Sequence, residues 1–374
     1  MKRKSLWFTI SKSNAVVLML AVGAGTALPG QNLRSETSPQ PDTQGQLRAK
    51  ESGGNLKDEL QLAGNYLVGR GVPRDPELAA YWYRKAADQG DPSAQTQLGY
   101  LYSSGTGVQV DLAQAAKWFD RAMASGAQTA KLNLAVMYLK GAGVQRDVRM
   151  AIRLLTELAN SNNPWAESYL GIVYYTGDGV KIDHSAAEKW FARAAKQRNP
   201  NAEYSLGILY SDAVDHEHDL SKAADYLRSS AQAGYVLAMH SLGLLLVNHP
   251  ELPQKPVEAV AMLQGAAEAG SWRSSVVLAI LARDEKGVPR NTEEACVWFR
   301  VAEKQGGASA EKLVSPDVAR CGTGGSSSQE EQNQRAIAWL SQHRHTSLYV
   351  YGDKMREDQF PIGEVPVLDL AQAN

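Results

Sequence analysis

Gly177–Tyr210 reads GDGVKIDHSAAEKWFARAAKQRNPNAEYSLGILY, and the register of its glycines, aromatics and alanines decides the fold. Gly177-Asp178-Gly179-Val180 is a tight turn. Asp183 stands four residues after the second glycine as a helix N-cap, because a short carboxylate accepts from the free backbone N–H groups of a first turn. Ala187, Trp190, Phe191 and Ala194 follow at 4, 7, 8 and 11 residues past that cap, which is one face of a helix. Asn199-Pro200 restarts the chain as a second helix, a cap followed by proline at the first helical position. Ala202, Leu206, Gly207 and Tyr210 supply its apolar face.

The same register spreads outward in both directions. Gly69, Gly105, Gly141 and Gly177 lie 36 residues apart, each opening a G-x-G-V turn, and Gly287-Val288 is a reduced late copy. The cap column holds Asp75, Asp111, Asp147, Asp183, Asp219 and Asn291. Four residues on, alanine recurs at 79, 115, 151, 187, 223, 259 and 295. The next column carries Trp82, Trp118, Leu154, Trp190, Tyr226, Met262 and Trp298. Gly90, Gly126, Asn162, Arg198, Gly234, Gly270 and Gly306 separate first from second helices. A single helix pair cannot bury such a face alone, so neighbouring pairs must stack. Small residues at fixed columns let backbones approach, and the large aromatics fill the space between repeats. The same recurrence makes these Trp and Tyr columns core rather than a ligand cage.

The pattern G-x-G-V-x-x-D-x-x-x-A-x-x-W-[FY]-x-x-A-A-x-x-G-x-x-x-A-x-x-x-L-G-x-x-Y, nearly entire in Gly69–Tyr102 and Gly177–Tyr210, resembles the Sel1-like repeat family, a longer-period relative of the tetratricopeptide repeats. The resemblance covers about residues 56–310. It implies an all-α fold, a right-handed α-solenoid of about seven helix-turn-helix repeats with one concave surface. The fifth and sixth repeats depart from it, with His216-Glu217-His218 and Leu252–Pro256 in place of glycine turns. The branch of the family linked to β-lactams places a disulfide in each repeat; this chain has only two cysteines, so that activity does not carry over.

Outside the repeats the composition changes. Met1-Lys2-Arg3-Lys4, the apolar run Ala15–Gly25 and the small residues at 25–27 form a signal peptide over residues 1–27, or an uncleaved anchor. Residues 28–55, rich in Pro, Gln, Ser and Gly, read as a flexible linker. The solenoid is expected over 56–311 and a capping segment over 312–346. Ser315-Pro316-Asp317 is placed to open a short helix, and Glu330–Gln342 forms another. The tail, 347–374, reads either as ordered chain along the solenoid or as disordered. Export places the protein in the periplasm or outside the cell, with the membrane reached only through the N-terminal segment.

The net charge of −1, with no basic stripe, argues against a nucleic-acid partner. Cys296 and Cys321 form a disulfide in an oxidising compartment, or else are a small core residue and a surface thiol. His216-Glu217-His218 and His343-Arg344-His345 are spaced to ligate zinc only if further ligands converge, and a solvated loop accounts for the first as well. There is no G-x-S-x-G elbow, H-E-x-x-H or phosphate loop, and neither a metal nor a cofactor is expected. Two readings follow. The first is a non-enzymatic scaffold for another protein or peptide in bacterial envelope assembly or signalling. It uses the non-column positions of the first helices: Glu77, Tyr81, Arg84, Lys85, Gln114, Lys117, Arg149, Arg153, Ser185 and Lys189. The second is an enzyme or ligand-binding protein for cell-wall or polysaccharide substrates, which needs a pair of free carboxylates where nearly every aspartate is already a cap.

Overall fold

The computed structural model describes residues 55–212, 219–252, 256–285, 289–321 and 328–343, with the strands Tyr349–Val350 and Asp353–Lys354. The signal segment, nearly all of the linker, His216-Glu217-His218, Gly287-Val288 and the rest of the tail lie outside these residues. The described chain is an all-α array of tandem helix pairs. It runs α1 (Leu56–Val68), α2 (Pro76–Asp88), α3 (Pro92–Ser104), α4 (Leu112–Ala124), α5 (Gln128–Lys140), α6 (Val148–Asn160), α7 (Pro164–Thr176) and α8 (His184–Lys196). It continues with α9 (Pro200–Ser211), α10 (Leu220–Gln232), α11 (Val236–Asn248), α12 (Pro256–Glu268), α13 (Trp272–Asp284), α14 (Thr292–Arg320) and α15 (Gln329–His343). The two short strands pair antiparallel. These residues divide into two compact units, one ending at Ala166 and the other beginning at Glu167. None of the described helices is long and apolar enough to cross a membrane.

Each first helix begins where the register puts its cap. Asp75, Asp111, Asp147, Asp183, Asp219 and Asn291 accept from the backbone N–H three residues on, at 2.8–3.0 Å. Their own N–H groups donate backwards, from Asp75 to the Tyr66 carbonyl at 2.8 Å and from Asp183 to Tyr174 at 2.9 Å. One residue thus starts a helix and ties it to the helix before the turn. The second turn needs a left-handed residue. Gly90, Gly126, Gly234 and Gly270 supply it, and Asn162 (φ 57°) and Arg198 (φ 59°) adopt the same backbone. In the last repeat the break is one residue later than the register suggests, at Gly307 (φ 52°, ψ −139°). Gly306 instead lies against Trp272, where a Cβ would sit 2.6 Å from the indole.

The most extensive helix contacts join a second helix to the first helix that follows it, across the G-x-G-V turn or the segment that replaces it. The pairs α1–α2, α3–α4, α9–α10 and α11–α12 pack more closely than the pairs joined by the second turn. The packing unit is therefore a second helix plus the following first helix, where the sequence reading groups them from the glycine turn onward. The cause is a glycine column in the second helices facing a large residue in the first. A Cβ on Gly99 would lie 2.6 Å from the Phe119 ring, and one on Gly171 2.5 Å from Phe191. Phe119 and Phe191 are almost wholly buried there.

Both ends of the array differ from its middle. On α1, Asp58 and Asn65 occupy columns that α3 fills with the buried Ala94 and Leu101. At the other end, α14 runs past the expected array end at residue 311 and stops at Arg320. The helix does not open at Ser315-Pro316-Asp317 but contains Pro316, on its exposed side, where water can meet the carbonyl a proline leaves free. Ala310 and Val314, spaced one turn apart and buried, keep the same face turned inward. Helix α15 then covers that face through Gln332, Ala336 and Trp339, the last edge-on to Trp298 at 5.0 Å. Cys296 and Cys321 are joined by a disulfide, with Cα atoms 5.6 Å apart. Gln332 donates to the Cys321 carbonyl at 3.1 Å, tying α15 to the bonded end of α14.

The second glycine of the turn makes a sharp test. Gly71 and Gly107 both have positive φ, but a Cβ on Gly71 meets open space, whereas one on Gly107 would fall 1.9 Å from the Pro76 carbonyl oxygen. Gly71→Ala is expected to cost about 1 kcal/mol, the backbone penalty alone. Gly107→Ala is expected to cost more than about 3 kcal/mol, because a backbone clash cannot be relieved by a rotamer change. Urea unfolding of the two variants measures the difference; equal losses would show that the repeats do not abut at this glycine.

Candidate interaction face

The residues expected to meet a partner lie on first helices and are mostly exposed, but they do not form one functional set. In α2, Arg84 donates to the Tyr102 hydroxyl and lies over that ring, 5.5 Å from its centroid. Lys85 approaches buried Glu59 at 2.8 Å and lies over the Trp82 ring. Both are engaged within the fold. Tyr81 is 56% exposed and packs edge-on to Trp82. Glu77 is exposed, Gln114 is half-buried in the first turn of α4, and Lys117, Arg149 and Arg153 are exposed. The Arg153 guanidinium also donates to the Met150 sulfur. On α8, Ser185 and Lys189 line a shallow groove of about 330 Å³ with Asp183, Ala186, Trp190 and Arg193. Lys117, Arg153 and Lys189 share one register column, and none has an ion-pair partner among the described residues.

A second column explains why Lys85 is not free. In α1, α5 and α7 a charged position of the second helix faces the first helix that follows. Glu59 meets Lys85, Lys131 meets Glu157 at 3.0 Å, and Glu167 meets Arg193 at 2.8 Å. The charges are exchanged in the middle pair. Gln89 and Gln197 complete the outer two by donating to Glu59 and Glu167. Glu203, in the same column, has no cation here; burial pushes its carboxyl above the usual range, and the Ser229 hydrogen bond and Arg198 only partly oppose this. These pairs lie 26 residues apart, and that recurring exchange of sign is the sequence signal that would have revealed them. Trp82–Lys85, Trp118–Arg121 and Trp190–Arg193 are also stacked cation–aromatic pairs, with centroid distances of 4.6–4.8 Å.

His240 Nδ1 lies 2.8 Å from Ser274 Oγ, which donates to Ser271 Oγ. Both serines are buried, so this contact fills a helix interface and offers no nucleophile to solvent. No cluster of three His, Cys, Asp or Glu residues among the described residues is placed to hold a metal. His343 stacks on Trp339 and its Nδ1 lies 2.7 Å from the Trp339 carbonyl, while His345 lies outside the described residues.

Capped helix pairs at a fixed register, a glycine column under each large residue and polar groups that serve packing together define a tandem helix-repeat scaffold. The chain belongs to the Sel1 repeat family: the Sel1 repeat model matches residues 59–91, 92–126, 129–163, 166–199, 200–235, 236–271 and 278–307, more than half of the chain. Each match begins in a second helix and closes after the next first helix, the unit seen in the packing. Such repeats are scaffolds that typically mediate protein–protein interaction. No curated protein matches the chain. One similar solved structure is c5321, a protective antigen present in uropathogenic Escherichia coli strains that displays an SLR fold. It is 28% identical, with a TM-score of 0.54, over 81% of this chain and 64% of the antigen's, so this chain spans less than two thirds of that relative. Another is a Sel1 repeat protein from Oxalobacter formigenes, 28% identical, with a TM-score of 0.56, over 72% of this chain and 78% of that one.

Two predictions follow from the polar columns. Glu167→Gln removes the charge that meets Arg193 and is expected to lower stability by about 1–2 kcal/mol. Glu203→Gln, in the same column without a cation, is expected to leave stability at pH 7 unchanged or raised; thermal unfolding of both variants checks the contrast. The second concerns His240, whose pKa is lowered to about 4 by burial and by nearby Arg273. Below about pH 6.5 the unfolded chain takes a proton that the folded chain refuses, so stability falls as pH drops from 6.5 to 4 and is fully present above 6.5. The loss is at most about 3 kcal/mol. In His240→Gln that part of the pH dependence is expected to vanish, and an unchanged acid limb in denaturant midpoints would remove His240 as its source.

Proposed function

We propose that this chain is an exported, non-enzymatic Sel1 scaffold that holds an acidic segment of another protein along the exposed face of its first helices, in bacterial envelope assembly or signalling. The observation that carries the reading is the cationic column. Lys117 and Arg153 recur at 36-residue spacing, exposed and without an ion-pair partner among the described residues, while the neighbouring cation Lys85 is engaged within the fold. Lys117 and Arg153, repeated in the same compact unit, match an extended chain with spaced carboxylates, and such charges set partner choice and encounter rate. Arg149, one turn before Arg153, widens the same face.

Export is supported by the basic N-terminus followed by a short apolar run and small residues. It is also supported by the Cys296–Cys321 bond, since such bonds persist in oxidising compartments. The description of the Escherichia coli relative as a protective antigen fits an exported protein of this family. The scaffold reading is favoured over a hydrolase because the column aspartates spend their carboxylates on helix N–H groups.

The test is in-cell crosslinking of the tagged full-length protein, with the envelope partners quantified by mass spectrometry. The triple reversal Lys117→Glu, Arg149→Glu, Arg153→Glu is expected to lower recovery of a stoichiometric acidic partner at least about tenfold, since each exposed contact contributes up to about 1 kcal/mol. Circular dichroism should show the helix content unchanged. Undiminished recovery would take this face out of the interaction, and a partner without an acidic segment would overturn its proposed chemistry.

A further inference from the structure

The groove along α8 has a candidate occupant in the chain itself. Beyond Lys354, the last described residue, the sequence EDQFPIGEVPVLDLAQAN fills positions 357–374. It carries Glu357, Asp358, Glu364 and Asp369 and no Lys, Arg or His, so it is strongly acidic in a chain whose net charge is only −1. Phe360, Ile362, Val365 and Leu368 alternate with these charges. We infer that this acidic tail docks in the groove lined by Ser185, Lys189, Trp190 and Arg193, on the same chain.

The chemistry of the two sides corresponds. Lys189 has no ion-pair partner among the described residues, and a carboxylate of the tail compensates it. Trp190 is half-buried with Arg193 stacked on it at 4.8 Å, and the part of its indole that Arg193 leaves open is an apolar surface for Leu368. Asp183 is the one anion of the groove, and its carboxylate is committed to the α8 N-terminus through Ala186 N at 2.8 Å. Pro361 and Pro366 reduce the conformational freedom a docking segment must give up.

The reach is sufficient. The groove and Lys354, from which the tail departs, belong to the same compact unit. From α8 to α14 there are three steps between successive first helices, roughly 30 Å in all at 8–10 Å per packed helix. The fifteen residues from Lys354 to Asp369 extend to about 50 Å. Covalent attachment gives the tail an effective concentration on the order of millimolar, so modest contacts suffice to hold it. The inference rests on the reading that cations of the first-helix face capture acidic chain, and it places the chain's own tail in competition with the partner at α8.

The experiment uses the full-length protein with the photo-crosslinking residue benzoylphenylalanine replacing Leu368. Isotopically light and heavy chains are mixed and irradiated, and the adducts are mapped by mass spectrometry. The expected result is crosslinking to residues 182–196 within single chains, at a yield independent of protein concentration. Lys189→Glu, and separately the neutralised tail Glu357→Gln, Asp358→Asn, Glu364→Gln, Asp369→Asn, should each reduce that yield at least about fivefold. Absence of adducts at 182–196, or a yield indifferent to both charge changes, overturns the inference. Adducts mainly between light and heavy chains overturn it in favour of a second copy as occupant. The partner-capture reversals lie on α4 and α6, so the two readings fail separately. Loss of capture dependence with intact tail adducts removes only the partner reading, and the converse removes only the tail.

Discussion

The cap residue of each first helix makes two bonds of opposite direction, and the array depends on both. Its side-chain oxygen accepts from the first turn of the helix it starts, while its backbone N–H donates to a carbonyl near the end of the preceding helix. The first bond fixes where a helix begins; the second fixes how close that helix lies to the one before. An alanine in the cap column would forfeit the side-chain bond, worth about 1 kcal/mol, and leave a helix N-terminus unsatisfied. Because the residue is also the hinge of the tightest helix pair, its geometry passes directly into the glycine column. Gly99 and Gly171 can be glycine only because the turn brings Phe119 and Phe191 onto them. A short polar residue four positions after a glycine turn thus controls packing more than ten residues away on either side.

This coupling explains what was legible in the sequence and what was not. Caps, turns and apolar faces are local: each needs a particular residue type at a particular offset, so a single chain displays them over and over, the cap in six repeats and the full glycine turn in four. The boundary at Gly307 and the run of α14 to Arg320 were not legible because the cue was misleading. Pro316 normally marks a helix start or end, yet on the exposed side of a helix it costs only a carbonyl that water can satisfy. The face residues were half legible. Spacing put Arg84 and Lys85 on the surface of α2, but nothing in their own helix shows that Tyr102 and Glu59 reach them from neighbouring helices. Those contacts are non-local, and only the exchanged signs of Lys131 and Glu157 betray them in the chain.

The exchange also separates two kinds of charge on the first helices. The column of Lys85, Glu157 and Arg193 is bound to the preceding second helix, and its sign is free provided the partner changes with it. Such pairs specify which helix packs on which without demanding a particular overall charge. Lys117, Arg153 and Lys189 have no ion-pair partner among the described residues and share one sign over three repeats, whereas Asp225, next in the column, reverses the sign and pairs with Arg228 on its own helix. Packing cannot require the shared sign, since the same column holds Tyr81 in α2. A sign that repeats without an internal reason points outward, and that is the physical basis for assigning the face to an anionic chain.

The two ends of the array show the complementary constraint. A stacking face left open is an invitation to a further repeat or another copy, so an end must be made polar or covered. On α1 it is made polar, with Asp58 and Asn65 where α3 has Ala94 and Leu101. On α14 it is covered by α15, whose Trp339 meets Trp298 and whose Gln332 holds the Cys321 carbonyl. The disulfide lies at this covered end, joining the start of α14 to the residue just past its C-terminus across the Gly307 kink. It restrains the part of the array that has a neighbour on only one side and therefore the least packing of its own. A cross-link in a central repeat would add little, because stacking already holds both helices there; at the end it replaces the restraint that a missing neighbour would have supplied.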